Sequence, residues 1–277
     1  MMSFVVGMMG GLAAVLLKNV VHATHNFMTR GIILENLYFL YFALPFIGIF
    51  LTVLFVKYFI KDHISHGVSR ILYAISRKKG EIKPHNTFSS MIGSTLTVGF
   101  GGSVGLEAPI VLTGSAIGSN AARLFRLNYR STTLMIGCGA AGAIAGIFNA
   151  PVAAILFALE VLMLDLTMSS LVPLMISAVT GTVVSYFLMG REVVFSFSVY
   201  DPIVLANLPF YIVLGIICGL VSVYVNRGVK YFESVSYSIQ NPYKKMIAGG
   251  SLLGLLIFLF PPLFGEGYNS LKAILTG

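Results

Sequence analysis

The most informative stretch of this sequence is Gly101-Gly-Ser-Val-Gly105-Leu-Glu107-Ala-Pro109. It places one carboxylate at the start of an apolar stretch that carries no further charge as far as Asn120. Pro109 suits the first turn of a helix, and a helix that begins here directs its free N–H groups and positive dipole end at whatever precedes it. An ionisable side chain in an apolar segment is costly, and is therefore a functional hypothesis by default. The stretch predicts an anion site that carries its own tethered anion, Glu107.

The composition is that of a membrane protein. Hydrophobic residues make up 57% of the chain and charged residues 10%, whereas soluble domains carry about 25% charged residues. Several apolar segments are shorter than the roughly 20 residues that a span needs, or are interrupted by glycine or proline. We therefore expect an all-α bundle of tilted and half-length helices, as in transporters and channels. The nine candidate segments are residues 4–17, 41–59, 89–100, 110–122, 132–148, 152–164, 171–189, 203–225 and 246–264.

The net charge of +8 comes mainly from loops between these segments. Nucleic-acid binding is one interpretation, but basic loops between apolar spans are far more often cytoplasmic topology signals. We therefore expect no nucleic-acid partner, and we expect the two basic clusters to face the cytoplasm. They are Arg70, Arg77, Lys78, Lys79 and Lys83, and then Arg123, Arg126 and Arg130.

A weak internal repeat relates the start of the chain to its last third. Residues 6–15 and 214–223 share the spacing Gly-x-x-x-Gly-Leu at an offset of 208 residues. A proline-bearing apolar span follows each copy, and then the steps His66-Gly-Val and Glu266-Gly-Tyr. Inverted repeats build many secondary transporters, with the site at the repeat interface. We expect residues 1–190 to form a first repeat that carries the anion site and residues 191–277 to open a second. The counterpart of the Glu107 motif then falls near positions 307 to 315, beyond Gly277, so we expect the remainder of the second repeat, and with it half of the binding site, to be missing from this chain.

At this point the motifs resemble those of a known family. Gly105-Leu-Glu107-Ala-Pro109 is similar to the Gly-Arg-Glu-Gly-Pro motif of the chloride channel and transporter (CLC) family. The similarity continues through Gly137-Cys-Gly-Ala-Ala-Gly-Ala-Ile-Ala-Gly-Ile-Phe-Asn-Ala-Pro151 and Ile155-Leu-Phe-Ala-Leu-Glu160. The resemblance implies a CLC-like, polytopic membrane protein that moves chloride or a related anion, as a gated channel or an anion/proton antiporter. It implies neither an enzyme nor a cofactor.

The resemblance also implies an assembly and a set of site residues. It implies a homodimer with one anion pathway in each subunit and an interface partly on residues 152–164 and 171–189. Glu107 becomes the gating glutamate, which occupies an anion site and swings away when it is protonated or displaced. The remaining anion-binding residues implied by the motifs are Ser65, His66, Gly67, Val68, Gly105, Leu106 and Ala108.

The sequence departs from the family pattern at several of these positions. His66 stands where a serine hydroxyl usually contacts the central anion, while Leu106 replaces arginine and Ala108 replaces glycine. Proton-coupled members carry a second glutamate directly after the position of Glu160, and here that position holds Val161. Valine resembles the channel branch, although some proton-coupled bacterial relatives also lack this glutamate. Glu160 itself is a candidate for a proton path.

Two other motifs suggest different classes of protein. Gly101-Gly-Ser103-Val-Gly105 matches the nucleophile elbow of hydrolases, so an intramembrane serine hydrolase that uses Ser103 is the alternative function. Its histidine base has to lie within hydrogen-bond reach of Ser103, and His66 is the candidate. Gly137-Cys-Gly-Ala-Ala-Gly142 matches a dinucleotide-binding pattern, but Asn149-Ala-Pro151 ends the following helix too early for a Rossmann turn.

The expected setting is the inner cell membrane, which the chain crosses several times. Its expected partners are chloride or a similar monovalent anion, protons in the case of an exchanger, membrane lipid and a second copy of the chain. Cys138 and Cys218 lie in apolar segments, and they indicate neither a disulfide framework nor a metal site.

Overall fold

The computed structural model shows a helical bundle and describes residues 1–35, 40–61, 67–163, 167–190, 207–239 and 241–276. A π-helical turn, Val56–Ile60, extends α2, and a short 3₁₀ turn, Pro261–Leu263, follows α10. The helices are α1 Met2–Glu35, α2 Leu40–Phe55, α3 Gly67–Arg77, α4 Asn86–Gly99, α5 Glu107–Leu124, α6 Tyr129–Phe148, α7 Pro151–Val161, α8 Met168–Met189, α9 Leu208–Ser238, α10 Pro242–Leu259 and α11 Tyr268–Thr276.

The fold confirms an all-α membrane protein. Every described element is helical, and within the described residues six helices are long and apolar enough to span a bilayer. The segments predicted for α4 to α8 and for α10 agree with the helices to within a few residues. The first segment was too short, because α1 continues from residue 17 to Glu35. The α9 segment was predicted to run from 203 to 225. Residues 203–206 lie outside the described part, and the predicted end was too early, because α9 continues to Ser238. Helices α3 and α11 were not predicted as apolar segments.

The core is built where glycines let helix backbones touch. A Cβ atom added at Gly11 of α1 would lie 2.8 Å from the carbonyl oxygen of Gly181 in α8, and one added at Gly142 of α6 would lie 2.8 Å from Cα of Gly7. Helices α5 and α6 meet in the same way, since Gly114 and Gly139 each press against the other's carbonyl group. Small residues at such crossings are the usual basis of close packing inside a membrane. Helices α1, α5, α6 and α8 therefore form one tightly packed block.

One end of this block carries both basic clusters except Arg70, which lies in the first turn of α3. The loop between α3 and α4 folds against the end of α5, where the Ser119 hydroxyl donates to the carbonyl oxygen of Gly80 at 2.6 Å and accepts from the N–H of Ile82 at 3.0 Å. The Tyr129 hydroxyl at the start of α6 donates to the carbonyl oxygen of Ile75 at 3.1 Å. The two clusters thus share one face, as expected if both are cytoplasmic. Glu107 lies at the opposite end of α5.

The remaining helices lie around the block. Helix α10 packs on α2, where Gly250 and Gly254 accommodate Phe46 and Phe42. Helix α9 is different, because none of its residues is buried in the described structure. A helix that is apolar on all sides is stable only among lipid or other apolar helices.

Candidate anion site

The site begins where two helices start side by side. Gly67 is the first residue of α3, and a Cβ atom added there would lie 2.6 Å from the carbonyl oxygen of Ala108 in the first turn of α5. Only glycine fits so close an approach between backbones. The positive dipole ends of α3 and α5 therefore converge on one region of the protein.

The start of α5 offers N–H groups without partners inside the helix. The first helical hydrogen bond runs from the N–H of Ile110 to the carbonyl oxygen of Leu106 at 3.1 Å, and Leu106 supplies no side-chain cap. Pro109 has no N–H, so the free donors of this turn belong to Glu107 and Ala108. Unpaired donors at a helix start favour a negatively charged group.

The Glu107 side chain folds back over the loop that precedes α5. A Cβ atom added at Gly105 would collide with Oε2 of Glu107, so the carboxylate occupies the space that a side chain at position 105 would fill. Its other oxygen, Oε1, accepts a short hydrogen bond from the Tyr268 hydroxyl at the start of α11. The half-buried carboxylate is thereby held by a residue 161 positions away in sequence.

The segment that carries Tyr268 is anchored to the same loop. The N–H of Gly265 donates to the carbonyl oxygen of Gly101 at 3.2 Å, and the Phe264 ring covers the face of Gly101. Phe264 also packs on His25, with ring centroids 5.2 Å apart. Gly265 has φ +78° and Gly101 has φ +91°, a backbone region that favours glycine at both positions.

A cavity of about 400 Å³ lies beside Glu107, between α1 and α11. Lys18, His22 and His25 line it from α1. Glu266, Tyr268 and Lys272 enter it from the other side. With Tyr41 of α2, seven titratable side chains other than Glu107 line this cavity, and none of them was assigned to the site from the sequence.

Burial and the charges in this cavity raise the pKa values of Glu266 and Tyr268. Glu266 lies after the last candidate span, Pro242–Leu259. Burial raises the pKa of its carboxyl, the neighbouring Glu107 adds to the rise and Lys18 opposes it. The pKa of the Tyr268 phenol is raised first by burial and then by its hydrogen bond to Glu107 and by the two carboxylates. The phenol therefore keeps its proton and acts as a donor to Glu107.

The structure brings together only some of the residues assigned from motifs. Gly67 and Ala108 are in contact, Gly105 lies under the Glu107 carboxylate, and Leu106 is buried against the cavity. Val68 is half-buried and packs on the core below Gly67. Ser65 and His66 lie outside the described residues.

Glu160 and Ser103 stand apart from this arrangement. Glu160 is exposed in the last turn of α7 and is not among the residues that line the cavity beside Glu107. Ser103 is exposed, and no described histidine forms a hydrogen bond with it. The structure therefore gives the serine hydrolase alternative no support. Within the described residues no three His, Cys, Asp or Glu side chains lie close enough to hold a metal ion.

Fold and site together define a multi-pass helical membrane protein with a carboxylate, Glu107, at the adjoining starts of two helices. The chain belongs to the voltage-gated chloride channel (CLC) family, because the model of that family, described as voltage gated chloride channel, matches residues 47–277. The family resemblance inferred from the motifs is thereby confirmed.

Relatives of known description support the same assignment. The H(+)/Cl(-) exchange transporter ClcA of Vibrio cholerae serotype O1 is 30% identical over 193 residues, which cover 67% of this chain and 41% of the relative. The chloride channel protein CLC-e of Arabidopsis thaliana is 27% identical over 293 aligned positions, which cover 98% of this chain and 41% of the relative. The chain thus spans about two fifths of the length of both proteins.

Two solved structures share the fold. A slow cyanobacterial Cl⁻/H⁺ antiporter matches with a TM-score of 0.84 and 23% identity, over 97% of this chain and 65% of that one. A CLC-type fluoride/proton antiporter matches with a TM-score of 0.82 and 25% identity, over 99% of this chain and 73% of that one. The agreement over nearly the whole chain confirms the CLC-like bundle.

Proposed function

We propose that this protein moves chloride or a related monovalent anion across the inner cell membrane, and that Glu107 is its gate. The observation that supports the proposal most strongly is the position of the Glu107 carboxylate at the joined starts of α3 and α5. Relatives named as exchangers or channels for chloride agree with this function.

The mechanism follows from partial charges. Backbone N–H groups and helix dipoles attract an anion without a full positive charge, so that the anion binds and is also released, as conduction requires. The ionised Glu107 carboxylate competes with the permeant anion for the same region. When a proton neutralises it, the side chain loses its attraction to the helix starts and vacates the position.

Proton coupling is expected to be weak. A second carboxylate on the inner side is the usual source of protons in the exchangers that this chain resembles, and Val161 occupies that position. Glu160, the remaining carboxylate of this turn, is exposed at the end of α7. We therefore favour anion flow that protons regulate over strict exchange.

The proposed assembly is a homodimer. Helix α8 exposes apolar side chains at helical spacing, and α7 adds two more on its outer side. On α8 they are Val172, Met175, Ile176, Val179 and Val183, and on α7 they are Val152 and Leu156. A continuous apolar stripe of this kind suits helix–helix contact in a membrane.

The test is anion flux through the full-length protein in liposomes. Glu107→Gln mimics the protonated gate, so its flux should equal the wild-type flux at acidic pH and should no longer vary with pH. Glu81→Gln removes an exposed carboxylate on the basic face and is the matched control. If the flux through Glu107→Gln still rises on acidification, Glu107 is not the gate. Uphill proton movement driven by a chloride gradient would show strict exchange, against the proposed mode of flow.

A further inference from the structure

We propose that Tyr268 is a latch that holds the ionised Glu107 carboxylate in the anion site, and that Glu266 beside it weakens the latch. The proposal rests on the proposed role of Glu107 as the gate. It assigns a positioning role to the segment 264–268, which no motif of the sequence analysis linked to gating.

The latch is fixed by the backbone rather than by Glu107. Gly265 donates to the carbonyl oxygen of Gly101 at 3.2 Å, and Phe264 packs on Gly101, His25 and the edge of Tyr41. These contacts tie the start of α11 to the loop that leads into α5. The Tyr268 hydroxyl therefore stays in place when the carboxylate leaves, and it is ready to receive the carboxylate again.

The chemistry of the pair favours one charge state. A phenol that donates to a carboxylate stabilises the ionised form, because a protonated carboxyl oxygen is a weaker acceptor. The hydrogen bond thus opposes protonation of Glu107 and its departure from the site. Without the hydroxyl, less acid is needed to open the gate.

Glu266 acts in the opposite direction. Its carboxylate lines the same cavity and interacts electrostatically with Glu107, so two like charges share a half-buried space. When both carboxylates are ionised they repel each other, and this repulsion opposes the hold of Tyr268 on Glu107. The other titratable or charged groups that face the pair are Lys18, His22 and His25 from α1, Tyr41 from α2 and Lys272 from α11.

Removing Tyr268 or Glu266 should shift the pH midpoint of acid-activated flux in opposite directions. Tyr268→Phe should move the midpoint of acid-activated flux to higher pH by about one unit, a tenfold change in proton affinity. Glu266→Gln removes the repulsion and should move the midpoint to lower pH, by a smaller amount. A purely structural role for Tyr268 would change the amount of folded protein but not the midpoint.

The experiment measures chloride flux against pH for full-length protein in liposomes, after each variant has passed size-exclusion chromatography. Tyr243→Phe is the matched control, since the Tyr243 hydroxyl accepts from Nζ of Lys57 at 2.6 Å on a different part of the surface. Tyr268→Phe in a Glu107→Gln background should add no further change, because the group that it latches is then always neutral.

Each outcome decides between the two proposals. A midpoint for Tyr268→Phe equal to those of wild type and Tyr243→Phe overturns the latch. Shifts of the same sign for Tyr268→Phe and Glu266→Gln overturn the opposition of the two groups. If flux through Glu107→Gln still depends on pH, Glu107 is not the gate. This result comes from a different variant than the test of the latch, so the two failures are distinguishable. Should Tyr268→Phe fail to fold, Glu266→Gln still tests the second half of the proposal, and a midpoint that does not move to lower pH overturns the opposing role of Glu266.

Discussion

Two stretches with the same glycine spacing lie in opposite surroundings. In α1, residues 6–15 press Gly7 and Gly11 against the backbones of α6 and α8, and a Cβ atom at Gly11 would lie 2.8 Å from the carbonyl oxygen of Gly181. In α9, residues 214–223 repeat the spacing, yet a Cβ atom at Gly215 or Gly219 would meet no described atom within 4 Å. Spacing of small residues thus identifies a face that permits close packing, and the rest of the fold decides whether another helix fills it.

The difference in surroundings is also seen in the buried fraction of whole helices. The apolar window of α6, the partner of α1, is 78% buried, whereas that of α9 has a higher hydropathy and is 0% buried. Hydropathy alone therefore does not distinguish a helix in the centre of the bundle from one at its edge. The content of glycine and alanine does, because these small residues let α6 pack closely against α1, α5 and α8 at once.

The largest difference between α1 and α9 is expected in the yield of folded protein when leucine replaces glycine. Gly7→Leu forces a side chain into the backbone of Ser177, which cannot move without separating α1 from α8. We expect little or no monodisperse protein on size-exclusion chromatography in detergent. Gly215→Leu, the equivalent change in α9, should yield as much folded protein as the wild type. A comparable loss for Gly215→Leu would show that a further partner covers α9.

The two cysteines offer a contrast without any packing mutation. Cys138 in α6 is fully buried, and Cys218 in α9 is exposed. A lipophilic maleimide should label Cys218 in the folded protein in detergent and should label Cys138 only after denaturation, because reaction requires access to the thiol. The variant Cys218→Ser is the control, and it should take up no label before unfolding. Equal protection of both thiols would contradict the exposed position of α9.

The smallest difference is expected in the free energy of unfolding when a single serine hydroxyl is removed from α8 or from α9. The Ser177 hydroxyl in α8 donates to the carbonyl oxygen of Cys138 in α6 at 2.6 Å, whereas Ser222 in α9 is exposed. Ser177→Ala should lower the free energy of unfolding in detergent by about 0.6 kcal/mol, the typical value for a hydrogen bond between membrane helices. Ser222→Ala should leave that free energy unchanged. A larger effect at Ser222 than at Ser177 would reverse the comparison.

Much of the fold could be predicted from the sequence, because most helices are continuous apolar segments. The exceptions have physical causes. The hydropathy of α1 falls after residue 17, since Lys18, His22 and His25 follow, yet these side chains face the cavity and the helix continues. Helix α3 is amphipathic and buries only one face, with Ile71 and Ala74, so no apolar run marks it.

The site was predictable only in its local part. Glu107, Gly105 and the start of α5 lie within a few residues of one another, so their arrangement follows from helix geometry. The bond between Tyr268 and Glu107 joins residues 161 positions apart, and no local pattern indicates such a pairing. The step Glu266-Gly-Tyr268 was recognised as part of a repeat, but its position against Gly101 emerges only from the packing of α10 and α11 on the rest of the chain.

The far end of α5 bears on how fast the proposed gate, the Glu107 side chain, could move. Ser119 ties that end to the loop after α3, and Gly114 and Gly118 lock the middle of the helix against α6. We expect a helix held in this way not to slide or tilt when Glu107 is protonated, so that the response is confined to rotation of the Glu107 side chain. Rotations of side chains take on the order of nanoseconds or less, whereas helix movements take microseconds or longer. Structures obtained at acidic and at alkaline pH should therefore superimpose along the backbone of α5.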